Sequence, residues 1–256
     1  MFQIKKQIGA VFFVVMTLVM SVPATGAQNT QFNPIGYSEQ GRYFAYEEFG
    51  TDADNRVAYA KIYLVDLVEI TQVVGTPIFV EGDLTEQTLA QVRQNAAAQA
   101  GTVLQSLEII KPATIVAMFG DGHYLEDKSS LTFGVPALEI SKGDAQRKPL
   151  GKYQLSLKSF ETATATNCID FTQSPPMGFS LAIENFGASR EIYVDKALPR
   201  SRQCPLAYEI SAVVMPFGAT DISQSVGIIS VMAQGPTGLS RQFLAIPLAF
   251  DHRGRN

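Results

Sequence analysis

The sequence predicts a mostly β fold with one amphipathic helix: an α+β N-terminal half followed by an antiparallel, β-sandwich-like C-terminal half. Charged residues make up only 17% of the chain, whereas Gly, Pro, Phe and Tyr are frequent, a composition typical of β-rich proteins. Short segments of alternating polar and apolar residues, separated by turn-forming clusters, predict strands. Helical periodicity is confined to one segment.

The first 27 residues have the layout of a secretory signal peptide. Lysines precede an uncharged apolar run over residues 8–22, and small residues follow it. This run is shorter than the about 20 residues that a membrane-spanning helix needs. We therefore expect cleavage after Ala27, or alternatively after Ala24, and a periplasmic or secreted protein with no stable membrane span after cleavage.

The N-terminal half, residues 28–145, contains the clearest hairpin signal. Residues 43–49 are rich in aromatic side chains, residues 58–67 alternate strictly, and a polar loop joins the two segments. This pattern predicts an antiparallel hairpin. A third short strand is predicted over residues 73–80.

The one predicted helix covers residues 84–107, where apolar residues recur at three- and four-residue steps. Asp83 is the predicted N-cap, and Glu86 has the spacing of a capping box. The apolar stripe suits packing against the sheet better than a coiled coil, because it covers few heptads and lacks paired flanking charges.

The C-terminal half, residues 146–256, is predicted to be entirely β. A charged segment with Gly and Pro over residues 141–150 is the candidate boundary, and the two halves either fold separately or form one domain. Strands at regular spacing are typical of a sandwich or barrel; they are predicted over residues 153–160, 166–171, 179–184, 191–195, 207–217, 226–233 and 242–250.

The two cysteines, Cys168 and Cys204, are predicted to form a disulfide, because the export signal implies an oxidising compartment. The closed loop of about 37 residues corresponds to about 4 kcal/mol in the chain-entropy estimate. The alternatives are metal binding, which lacks a nearby histidine, and a reactive thiol, which needs a partner that lowers its pKa.

Charge and histidine content exclude several classes of function. The net charge of −4 argues against nucleic acid or anionic lipid as the main partner. Arg200 and Arg202 are expected in a solvated loop. The segment 36–41 differs from a nucleophile elbow in spacing and context, and the two histidines give little basis for a serine-hydrolase triad. We predict no catalytic set and no cofactor.

Two clusters of acidic residues are weak candidates for a site. Asp52, Asp54 and Asn55 offer oxygen ligands for calcium, but the run is short and lacks a correctly spaced bidentate acid. A solvated hairpin loop is the favoured interpretation. A hydrolase with paired carboxylates would require Glu47 or Glu48 to converge with Asp66 in a cleft.

Aromatic residues are dense in the first hairpin. Tyr37, Tyr43, Tyr46 and Phe49 would form a ligand-facing surface if they were exposed on one sheet face, where they could stack a sugar or hold a peptide. If they are buried, they belong to the core, which is the favoured interpretation for most of them.

Two resemblances rest on these segments. Residues 37–46 with 61–67 resemble one blade of the TolB-type β-propeller repeats, but a propeller needs at least four blades and one good copy is present. Residues 36–50, 62–67, 75–77 and 235–247 resemble a bacterial family of predicted secreted proteins (domain of unknown function 2259). That resemblance implies that the protein is exported and that nearly the whole mature chain forms one unit of the family. It implies no catalytic residue.

The favoured hypothesis is an exported, non-enzymatic binding or interaction module of the bacterial envelope. Its partner would be an envelope protein, a peptide or a glycan, with no role for nucleic acid. The alternatives are an envelope hydrolase with paired carboxylates and a calcium-stabilised structural protein.

Overall fold

The computed structural model describes residues 30–52, 55–120, 127–136, 150–163, 168, 172–235 and 238–248. The predicted signal peptide, residues 1–27, lies outside them. Within these ranges the chain forms one α-helix, α1 (Leu89–Ser106), and a short 3-10 helix at Arg200–Arg202. The strands within the same ranges are β1 (Gln31–Ser38), β2 (Tyr43–Asp52), β3 (Val57–Asp66), β4 (Thr71–Gln72), β5 (Ile78–Asp83), β6 (Ile109–Met118), β7 (Ser130–Val135), β8 (Leu150–Glu161), β9 (Met177–Asn185), β10 (Ala188–Val194), β11 (Cys204–Pro216), β12 (Val226–Gly235) and β13 (Gly238–Pro247).

The larger sheet joins the two predicted halves of the chain. Its described strands lie in the order β13-β12-β11-β6-β1-β2-β3-β4, and β5 pairs with β3 beside β4. Every pairing is antiparallel, and β6 pairs with β1 on one side and β11 on the other. The strands on the two sides of the predicted boundary therefore belong to one sheet.

This sheet curls so that its two ends face each other. Aromatic residues of β1 and β2 pack against apolar residues of β11, β12 and β13 in one core cluster. The Tyr37 hydroxyl donates to the Val214 carbonyl at 3.0 Å, and the Tyr46 hydroxyl donates to the Phe243 carbonyl at 2.9 Å. Buried phenols need partners. The Tyr46 bond joins β2 to the edge strand β13, and the Tyr37 bond joins β1 to β11 across the inside of the curl.

A second, smaller sheet covers the outer face of β11 to β13. In the described part of the chain it contains four antiparallel strands in the order β10-β9-β8-β7. Leu155, Phe179, Leu181 and Ile183 from this sheet are fully buried against Ile210 and its neighbours. The mostly β fold with a single described helix and a sandwich-like C-terminal half is thus confirmed.

Helix α1 begins five residues later than predicted, at Leu89 rather than at residue 84. Thr88 is the N-cap and completes a capping box with Gln91. Asp83 instead closes a turn, because its carboxylate accepts from the Thr85 amide and hydroxyl, both at 2.7 Å. The helix buries Val92, Ala96 and Ala100 on β2, β3 and β5, as expected for packing against the sheet.

We expect Thr88→Ala to lower the free energy of unfolding by about 1 kcal/mol, because it removes the hydroxyl oxygen that accepts from the Gln91 amide, whereas the bond from the Thr88 amide to the Gln91 side chain remains. Urea denaturation of the variant and the wild type measures the loss. Asp83→Ala is the matched control, and it should perturb the protein less. A larger effect of Asp83→Ala would contradict the observed cap.

The predicted disulfide is confirmed: Cys168 and Cys204 are bonded, with 5.5 Å between their Cα atoms. Cys204 is the first residue of β11, so the bridge fastens residue 168 to the large sheet. Both cysteines are buried. No cysteine in the chain is left over for metal binding or for a reactive thiol.

Candidate functional site

A polar pocket of about 210 Å³ lies where β3 pairs with β5, and we call it the β3–β5 pocket. Its described lining residues share the face of the sheet opposite α1, and they are Asp52, Asn55, Val57, Tyr59, Lys61, Phe79 and Glu81. The pocket brings together two aromatic rings, one ammonium and two carboxylates within a small volume.

Strand alternation places these side chains together. Ala58, Ala60 and Ile62 of β3 point to the helix, so Tyr59 and Lys61 point to the opposite face. On β5, Phe79 lies directly across from Lys61, and Glu81 lies across from Tyr59. Directly opposed residues in an antiparallel pair share a face, and the register of this one pair therefore builds the pocket.

The Lys61 ammonium lies near two aromatic rings. Its ammonium is 5.6 Å from the ring centroid of Tyr59 and 5.6 Å from that of Phe79, within reach of a cation–π interaction. The Tyr59 hydroxyl forms a 2.6 Å hydrogen bond with the Thr30 hydroxyl. Phe79 is 50% exposed, so one wall of the pocket is fixed and the other is open to solvent.

Glu48 lies behind the pocket, on β2 opposite Lys61, and is buried. Its carboxylate accepts hydrogen bonds from the Phe243 amide and from the Tyr63 hydroxyl, the latter at 3.1 Å. Burial raises the pKa of Glu48 to about 7, although the Phe243 amide, the charge of Lys61 and the Tyr63 hydroxyl all act in the opposite direction. Glu48 therefore titrates near neutral pH.

The effect of Glu48→Gln on the free energy of unfolding is expected to become more favourable by up to about 3 kcal/mol between pH 4 and pH 8. The reason is that burial opposes ionisation of the Glu48 carboxyl, and glutamine does not ionise. Below pH 4.5 the carboxyl is protonated in both the folded and the unfolded state, so its burial carries no penalty. Between pH 4.5 and about 7 only the unfolded state releases the proton, so the contribution of Glu48 to stability falls as the pH rises, and above that range it stays constant.

Urea denaturation of the wild type and Glu48→Gln across this pH range measures the difference. Glu47→Gln is the matched control, because Glu47 is also buried but lies on the helix side with Arg93 as its partner. It should destabilise the protein at pH 8, because it removes the carboxylate that pairs with Arg93. A difference between Glu48→Gln and the wild type that does not change with pH would contradict the assignment.

The three carboxylates considered for hydrolysis do not converge. Glu47 accepts from the Arg93 guanidinium of α1 at 2.9 and 2.7 Å, on the face opposite to Glu48. Asp66 lies at the far end of β3, where it pairs with Arg42 at 2.6 Å. Each acid has a separate partner, so these residues do not form the cleft with two carboxylates that the hydrolase would need.

The candidate calcium loop is only partly described. The Asp52 carboxylate accepts from the Asn55 amide at 3.0 Å and from its side-chain nitrogen at 2.7 Å. Asp54 lies outside the described residues. Among the residues that the structure describes, no group of three or more His, Cys, Asp or Glu is arranged to hold a metal ion.

Three of the four aromatic residues considered as ligand-facing lie in the core, the interpretation that the sequence favoured for most of them. Tyr37, Tyr46 and Phe49 are buried in the core, and the hydroxyls of the first two donate to backbone carbonyls of β11 and β13. Phe49 lies under the Arg93 guanidinium, 3.7 Å from its ring centroid. Tyr43 is partly exposed beside Arg42. The exposed aromatic side chain at the pocket is instead Phe79.

The expectation of a solvated loop is wrong for Arg202, although Arg200 is exposed. The Arg202 guanidinium is buried and contacts both Asp195 carboxylate oxygens, at 2.6 and 2.7 Å. Asp195 also accepts from the Tyr193 hydroxyl at 2.7 Å and the Phe179 amide at 3.0 Å. These groups tie the smaller sheet to the start of β11.

The likeness to a propeller blade is not borne out. The segments that carry it form β1, β2 and β3, which continue into the nine-stranded sheet of the described chain rather than a separate four-stranded blade. A comparison with curated proteins finds no match. No helix in the described ranges is long and apolar enough to cross a membrane.

One family model matches residues 45–249, and its description is predicted secreted protein (domain of unknown function 2259). The matched range extends from β2 to just beyond β13 and includes the whole β3–β5 pocket. This match confirms the resemblance noted in the sequence. The chain belongs to this family of predicted secreted proteins.

Proposed function

We propose that this secreted protein is a non-enzymatic binding or interaction module of the bacterial envelope, that it works in the periplasm, and that the β3–β5 pocket is its ligand site. The observation that carries the proposal is that the Lys61 ammonium contacts the rings of both Tyr59 and the half-exposed Phe79. A small number of polar groups set among aromatic walls is the usual composition of a ligand site.

The pocket chemistry suits a polar ligand with an apolar face. Phe79 offers a ring for stacking, and the Lys61 ammonium and Glu81 carboxylate offer a donor and an acceptor within the same lining. Peptides and glycans of the envelope both have this character. The Tyr59 hydroxyl is already engaged with Thr30, so Tyr59 contributes a fixed wall.

The direct test is a nuclear magnetic resonance titration of the isotope-labelled protein with two probes. One probe is a trimer of N-acetylglucosamine, and the other is the acetylated, amidated heptapeptide Thr-Val-Thr-Lys-Thr-Val-Thr. We expect at least one probe to shift the backbone resonances of residues 57–61 and 79–81. The absence of any such shift with both probes, or shifts confined to other strands, would contradict the pocket as ligand site.

We expect Phe79→Ala to weaken binding of the responding probe by about tenfold, because it removes the open aromatic wall. The matched control is Phe186→Ala, since Phe186 is 91% exposed at the turn between β9 and β10, outside the pocket. The control should bind like the wild type. Equal affinity of the two variants would contradict a role for Phe79.

A further inference from the structure

We infer that the edge of β5 facing away from β3 takes up an extended polypeptide segment as an additional strand, with a basic side chain of that segment over the β3–β5 pocket. This inference rests on the proposed function and specifies its ligand as a peptide. Recognition by strand addition uses main-chain hydrogen bonds for affinity and side-chain pockets for specificity. The β5 edge supplies both features.

The hydrogen-bond pattern shows which groups of β5 point outward. The Leu84 amide donates to the Arg56 carbonyl at 2.8 Å, and this pair continues the β3–β5 register by one step. Hydrogen-bonded pairs alternate with non-bonded pairs in an antiparallel ladder. Ile78, Val80 and Gly82 therefore bond to β3, while the amides and carbonyls of Phe79 and Glu81 point away from it.

Within the described residues β5 pairs with β3 alone, so these four outward groups form an unpaired strand edge. An unpaired edge is a template for another extended chain. A residue of an incoming strand that bonded to Phe79 or Glu81 would place its side chain on the same face as theirs. That face is the one that contains the pocket.

Charge favours a basic side chain at this position. Among the described lining residues Lys61 is the only cation, against the carboxylates of Asp52 and Glu81. Asp83, exposed on the same face of β5, adds another carboxylate. The stem of a long basic side chain can lie over Phe79 while its charge reaches Glu81.

A second copy of this chain is a poorer occupant of the edge. Two β5 strands paired antiparallel would bring Glu81 and Asp83 of both copies onto one face, and like charges at adjacent cross-strand positions destabilise a sheet. An incoming peptide without acidic side chains avoids this repulsion.

Hydrogen exchange of single amides, measured by nuclear magnetic resonance with and without the Lys-containing heptapeptide, tests the inference. We expect the Phe79 and Glu81 amides to exchange at least about tenfold more slowly in the complex, whereas Val80, already bonded to β3, should change little. A peptide with Glu in place of Lys should bind about tenfold more weakly.

N-methylated peptides provide the matched control. Methylation of the Lys and Val amides removes donors that would face β5 and should abolish the protection. Methylation of the Thr amides removes only outward donors and should leave it intact. Equal effects of the two methylation patterns would overturn strand pairing.

The outcomes separate this inference from the proposed function. In one outcome, the glycan trimer or the peptide shifts the pocket resonances but does not slow the exchange of the Phe79 and Glu81 amides. This outcome would support the ligand site and overturn strand addition. Protection that grows with protein concentration and needs no peptide would identify a second copy as the occupant and overturn the peptide. No pocket shift with either probe would overturn both.

Discussion

Arg202→Met is expected to lower the free energy of unfolding by about 3–5 kcal/mol, the usual loss when one partner of a buried ion pair is removed. The variant leaves the Asp195 carboxylate buried, with only the Tyr193 hydroxyl and the Phe179 amide as donors in the described chain. Tyr208, whose hydroxyl bonds to the Met177 carbonyl, would also lose its contact with the guanidinium.

Urea denaturation at pH 7 measures this loss. Arg200→Met is the matched control, because Arg200 lies two residues away in the same short helix but is exposed. It should remain within about 0.5 kcal/mol of the wild type. The double variant Arg202→Met with Asp195→Asn should recover part of the loss, since it no longer buries an unpaired charge. Equal losses from both arginine variants would contradict the buried pair.

Removal of the disulfide is expected to lower the free energy of unfolding by about 4 kcal/mol, as the chain-entropy estimate gives for a loop of this length. The two cysteines are 36 positions apart, so the unfolded chain gains much conformational freedom when the bridge is absent. The variant Cys168→Ala with Cys204→Ala removes the bridge and places no hydroxyl in the buried site.

Chemical denaturation with and without a thiol reductant measures the loss of stability that we expect on removal of the disulfide. Reductant should destabilise the wild type to about the level of the double alanine variant and should leave that variant unchanged. A variant as stable as the oxidised wild type would contradict a stabilising bridge. Because Arg202 and Cys204 are close in the chain, the two losses are expected to be non-additive.

Local pattern was enough to predict the strands of the first hairpin and the β character of the C-terminal half. The strict alternation of β3 and the polar loop before it are local signals. The start of α1 was misplaced because both Asp83 and Thr88 have the chemistry of an N-cap. Only the turn that Asp83 makes with Thr85 distinguishes between them.

The candidate site depends on contacts that the sequence does not display. The predicted third strand ended at residue 80, whereas β5 runs from Ile78 to Asp83 and includes Glu81. Nothing local indicates that Phe79 lies across from Lys61. The burial of Arg202 likewise depends on its pairing with Asp195, a residue of the smaller sheet region. That pairing is determined only by the packing of the two sheets.

The most direct test of the β3–β5 pocket as a ligand site is calorimetric titration of the wild type, Phe79→Ala and Phe186→Ala with the Lys-containing heptapeptide and with the N-acetylglucosamine trimer. We predict that a probe binds the wild type and Phe186→Ala with equal affinity and Phe79→Ala about tenfold more weakly. Binding that is equal in all three proteins, or absent from all three with both probes, would contradict the pocket as the site of function.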